Sequence, residues 1–94
     1  MNELQFAFVK LAEEATELAK EALKAAEYGP DTYSKKYDST AIAMMQDEYN
    51  DVLGCIEKVN SFGYNLHPDQ VLISNRVKKI QKNMEAARSA GQLV

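Results

Sequence analysis

A chain of 94 residues with 46% apolar side chains is one domain, near the size at which a single core becomes self-sufficient. Its net charge of −3 gives no overall attraction to nucleic acid or anionic membrane, and no apolar run reaches the roughly 18 residues of a membrane span. Cys55 is the only cysteine, which excludes an intrachain disulfide and a thiolate metal cluster and leaves it the expected role of a small core residue.

The first 28 residues hold Leu4, Phe8, Leu11, Ala15, Leu18, Ala22 and Ala26 at three-four spacing in an Ala/Leu/Glu/Lys background. Pattern and propensity both predict a helix, ended near Tyr28 by Gly29-Pro30. Its start, "MNELQFAFVK", breaks into charge too early for a secretion signal, so a cytoplasmic protein is expected. "GPDTYSKKYDS" follows, polar and turn-rich, with Tyr28, Tyr33 and Tyr37 around two lysines and no strand pattern. Asp38, Ser39 or Thr40 can cap a second helix running to about Ser61 and closed at Phe62-Gly63. After "YNLHPD", Pro68 suits the first turn of a third helix, which Val71, Leu72, Val77, Ile80, Met84 and Ala87 carry to about Ala90. The fold expected is all-α, a single domain over residues 1–94. Helices of about 22 to 26 residues are rods of about 33 to 39 Å. Three such rods cannot easily hide wide apolar faces alone, so an antiparallel bundle completed by a homo-oligomer, dimer or tetramer, is expected.

Two acidic pairs stand out. Glu14 lies about 40° from Leu18 on the wheel, with Glu17 one turn along the flank. Glu48 falls inside the apolar face formed by Met44, Met45, Val52 and Ile56, and Asp51 follows one turn on. Antiparallel packing of the first two helices brings these four carboxylates together. Such a group is costly unless some members are protonated or a cation is bound. Oxygen donors, with His67 alone before a proline, suit Mg²⁺, with Mn²⁺ as substitute, and not zinc; a di-iron bundle wants Glu-x-x-His motifs that are absent. Solvated glutamates paired with Lys10, Lys20 and Lys24 are the plainer account of "EEATE", and Glu48 paired with Lys79 the plainer account of the second helix. The third helix is basic, with Arg76, Lys78, Lys79, Lys82 and Arg88 against Glu85.

"EEATE" (residues 13–17) followed by "EYND" (48–51) resembles the Glu-Glu-x-x-Glu … Glu-x-x-Asp signature of the all-α nucleoside triphosphate pyrophosphohydrolases, the MazG-like group. "KIQKN" (79–83) is similar to the Lys-x-x-x-Asn segment of several members. The resemblance touches all three helices. It implies Mg²⁺-dependent cleavage of a (d)NTP between the α and β phosphates, giving a monophosphate and pyrophosphate. It further implies Glu14, Glu17, Glu48 and Asp51 as metal ligands. Glu13 or Glu17 would orient or deprotonate water, and Lys79, Lys82, Asn83 and Arg76 would contact substrate. A phosphoribosyl-ATP pyrophosphohydrolase-like enzyme would use the same acidic site, and a non-catalytic helical interaction module is the reading from another class. Neither nucleic acid nor membrane is an expected partner.

Overall fold

The computed structural model describes residues 1–94. Helix α1 spans Glu3–Tyr28, a short hairpin pairs β1 (Tyr33–Ser34) with β2 (Ser39–Thr40), and helices α2 (Ala41–Asn60) and α3 (Gln70–Ser89) follow. The all-α expectation holds, with the small β-hairpin as a correction. Two residue pairs, Tyr33 with Thr40 and Ser34 with Ser39, make a ladder too short for alternation to show in sequence. The hairpin is closed by local chemistry: Asp38 takes a left-handed φ of 49° and accepts a hydrogen bond from the Tyr33 hydroxyl.

Each helix begins on a side chain that satisfies free backbone donors. Asn2 and Gln5 form a reciprocal capping box on α1, each bond 2.8 Å. Thr40 Oγ1 accepts from the Ala43 amide at 3.3 Å, which selects it among the three candidate caps of α2. Asp69 Oδ1 accepts from Val71 and Leu72 at 3.0 and 3.2 Å. Asp69, whose carboxylate engages both donors, therefore caps α3, and Pro68 precedes the cap instead of occupying the first turn. Gly29 ends α1 at φ 96°, where a Cβ would also meet Thr32 Oγ1 at 3.1 Å.

The main packing contact in the molecule is one seam between α1 and α2. Helices α1 and α2 lie antiparallel, with Phe6 and Lys10 beside Gly54 and Lys58 and, near the hairpin, Glu21 beside Ala41 and Met44. From α1 the seam takes Leu4, Ala7, Leu11, Glu14, Leu18, Glu21 and Ala25; from α2 it takes Met44, Met45, Glu48, Val52, Cys55, Ile56 and Val59. On α1 this is an alternating three-four repeat, the spacing of a coiled-coil seam. Phe8, Ala15, Ala22 and Ala26, read from the sequence as part of the same stripe, are exposed instead. Phe8 meets Tyr64 edge-on, ring centroids 6.4 Å apart, where the seam ends.

Helix α3 adds no packed interface to this pair and has no buried residue. Both ends of the Asn60 amide hold the Leu66 backbone at 2.9 Å, so the connection is tied to the end of α2 while α3 stands away from it. No helix is long and apolar enough to cross a membrane.

Candidate metal centre

The seam positions of α1 and α2 place carboxylates where a coiled coil would carry leucine. Glu14 from α1 and Glu48 and Asp51 from α2 each offer an oxygen within 4.8 Å of the others. Glu14 and Glu48 are half-buried and Asp51 is exposed, so the cluster opens to solvent along one edge. Glu48 Oε2 is enclosed and has no hydrogen-bond donor. With both groups ionised, Glu48 faces Glu14 without relief. A proton held between them gives a hydrogen bond, and that bond, with burial and the charges of Glu14, Asp51 and Glu17, lifts the Glu48 carboxyl from 4.5 to about 7.

Hard oxygen donors drawn from both helices, one of them enclosed with nothing to donate to it, fit a small divalent cation. Such a cation would take the place of the shared proton. Glu14, Glu48 and Asp51 would hold it.

The other sequence-derived residues fall elsewhere. Glu17 sits one turn from Glu14 but its Oε1 is 3.2 Å from Lys20 Nζ, outside the three-carboxylate group. Glu13 is exposed and its Oε2 is 3.0 Å from Lys10 Nζ. Arg76, Lys79, Lys82 and Asn83 lie on exposed surfaces of α3 and are not brought to the carboxylates within one chain. Lys79 forms no ion pair with Glu48.

A cleft of about 640 Å³ adjoins the carboxylates. Phe6, Lys10 and Glu14 line it from α1, and Asp51, Gly54, Cys55 and Lys58 line it from α2. Nothing lies within 4 Å of where a Gly54 Cβ would stand, so the missing side chain keeps that space open. Cys55 is half-buried and not a closed-core residue, and burial beside Glu14 and Asp51 pushes its thiol pKa up, away from the reactive thiolate. Lys10 and Lys58 escaped the sequence reading, which used Lys10 only as a surface partner. Their signal lies in helical spacing: Lys10 is one turn before Glu14, and Lys58 seven residues after Asp51.

The chain matches no family model, no curated protein and no solved structure.

Proposed function

We propose that this chain is the protomer of a Mg²⁺-dependent nucleoside triphosphate pyrophosphohydrolase, cleaving the α–β bond of a (d)NTP to a (d)NMP and pyrophosphate. The observation that carries the reading is the meeting of Glu14, Glu48 and Asp51 across the α1–α2 seam within 4.8 Å. The motif resemblance supports it, because the clustered residues are three of the four metal ligands that the acidic signature implies, Glu17 being the fourth.

Bound Mg²⁺, or Mn²⁺ in its place, would supply charge neutralisation and a more acidic water. Glu14, Glu48 and Asp51 would hold it, and Glu17 would join them on releasing Lys20. A water oxygen attacks the α-phosphorus as the bond to the β-phosphate bridging oxygen breaks. Glu17 or Glu13 accepts the water proton, since neither has the enclosed, donorless oxygen of Glu48. Lys10 and Lys58 line the cleft beside the carboxylates and are placed to take charge from the leaving pyrophosphate. Lys79, Lys82, Asn83 and Arg76 reach the substrate from a second copy in a homo-oligomer.

Release of pyrophosphate from a panel of dNTPs, NTPs and phosphoribosyl-ATP, with Mg²⁺ and with chelator, tests the proposal. Turnover of at least one substrate, abolished by chelator and by Glu48→Gln with helix content intact, is the expected result. Turnover that survives chelation, or none with any substrate, defeats it. Phosphoribosyl-ATP as the sole substrate would move the enzyme to the related biosynthetic class without changing the site.

A further inference from the structure

Beyond the carboxylates, towards the β-hairpin, the α1–α2 groove opens into a second cleft of about 450 Å³. Its floor is Met44 and Ala41, and Tyr28, Tyr33 and Tyr37 stand around it. Glu21 lines it and is only 7% exposed, the sole charged residue buried in the protein. Glu21 Oε1 is 3.2 Å from Lys24 Nζ, while Oε2 is enclosed and has no donor at all. A buried carboxylate oxygen without a donor is rare in folded proteins and calls for an occupant or a role. Packing alone gives no reason for Glu21, since an apolar residue at this seam position would fit the repeat better.

We propose that this cleft is the subsite for the substrate's nucleobase, with Glu21 accepting a hydrogen bond from an amino group on the base edge. The inference rests on the nucleotide chemistry proposed above and adds the element of selectivity that chemistry lacks. Three features converge on a planar, amino-bearing heterocycle.

The first is reach. Glu21 is two turns from Glu14, about 10 Å along the axis, and Met44 is one turn from Glu48, about 6 Å. A nucleotide with its α-phosphate at the carboxylates bridges that interval through its sugar. The pyrophosphate is then directed the opposite way, towards Lys10 and Lys58. The second is surface. Tyrosine rings over a methionine floor suit the faces of a flat heterocycle, and aromatic stacking accepts any base. Lys24 and Lys36 lie 5.3 and 5.2 Å from the centre of the Tyr37 ring, where exposed ammonium groups are weakly held and yield to a base. The third is hydrogen bonding. Glu21 lines the cleft, and rotation of its carboxylate about the soft terminal torsion would bring the idle oxygen to face it. There it accepts from the amino group of cytosine, adenine or guanine, the pairing carboxylates make with cytosine in nucleic-acid recognition. Thymine and uracil have no such group.

Calorimetric titration of the full chain with Mg²⁺ and non-hydrolysable dNTP analogues tests this, with inorganic tripolyphosphate as the base-free probe. Wild-type protein is expected to bind the dCTP, dATP and dGTP analogues more tightly than the dTTP and dUTP analogues, and all of them more tightly than tripolyphosphate. Tyr37→Ala should weaken the analogues about tenfold, the scale of one lost stacking aromatic, with tripolyphosphate unchanged. Glu21→Gln should narrow the gap between amino-bearing and amino-free bases. Tyr37 is half-exposed, so its variant tests the subsite even if Glu21→Gln disturbs the seam. Analogues that bind no better than tripolyphosphate, or bind both variants as they bind wild type, overturn the subsite and leave the phosphate chemistry standing. Failure of tripolyphosphate and analogues alike to bind overturns the pyrophosphohydrolase reading itself.

Discussion

Glu48 shows how one side chain links folding to the proposed chemistry. Its carboxyl is held at about 7 in the folded protein against an ordinary value of 4.5. Between those values the folded state binds a proton that the unfolded chain releases. The group's stabilisation is therefore complete below about pH 4.5 and is lost as pH rises through 7. Metal-free wild type should accordingly lose part of its melting temperature between pH 5 and pH 8 through this group. Glu48→Gln, which keeps a donor for Glu14 without a titrating proton, should flatten that slope and melt higher than wild type at pH 8. Divalent cation acts in the opposite sense, since it competes with the proton. Added Mg²⁺ should raise the melting temperature of wild type at pH 8 more than at pH 5, and should do little for the variant. Identical melting profiles for the two proteins, with and without chelator, would remove Glu48 from the centre of the account.

The helices were legible in the sequence because their signals are local. Gly29-Pro30 marks where α1 stops, the Thr40 hydroxyl marks where α2 starts, and the three-four spacing runs through all three segments. The rotation of α1 about its own axis was not legible, because that helix is apolar on two faces. Phe8, Ala15 and Ala22 look as buriable as Ala7, Leu11 and Leu18, and only the position of α2 decides between them. The same ambiguity hid Glu21. As a seam residue it is a carboxylate among apolar neighbours, but from composition it was one more glutamate beside a lysine. Glu48 was recognisable because α2 has one dominant apolar face and the charge interrupts it. Lys79 and Asn83 resemble a motif yet stand on an element that the α1–α2 pair leaves uncovered.

Two substitutions test the elements separately. Val59 is fully enclosed in the seam, and Val59→Ala should cost about 2 kcal/mol of global stability, measured by denaturant unfolding. Asp69→Ala removes both capping bonds from α3 and should cost that helix about 1 kcal/mol. Since α3 barely touches the α1–α2 pair, the loss should be seen as faster amide exchange in α3 while the seam amides stay protected. Equal deprotection of both regions would mean that α3 is coupled to the seam after all.

At the scale of the molecule, one chain does not close its own surface. Its accessible area is 7521 Å², against about 5,400 Å² for a compact monomer of this mass. Its radius of gyration is 16.7 Å, against about 12 Å for a compact domain of this length. The excess, about 2,000 Å² per chain or about 4,000 Å² for a pair, is the scale of an obligate homodimer interface. Two exposed faces could form it. Ile73, Val77, Ile80, Met84 and Ala87 repeat at four-three spacing along α3, and Phe8, Ala15 and Ala22 lie along the outside of α1. The charges on these elements are also opposite: α3 is basic and the flanks of α1 and α2 are acidic. Laying α3 of one copy against the α1–α2 pair of another covers both apolar faces and carries Lys79 towards a carboxylate cluster that lacks a cation from its own third helix. Light scattering at micromolar concentration should therefore give a multiple of the 10.5 kDa chain mass, and Val77→Glu should shift it towards the monomer. If Lys79 acts in its neighbour's site, Glu48→Gln and Lys79→Ala should each be inactive alone and regain activity when unfolded and refolded together. Mixed oligomers pair an intact cluster on one chain with an intact α3 on the other. Oligomers that form without restoring turnover would show that α3 holds the assembly together and that Lys10 and Lys58 serve the phosphates unaided.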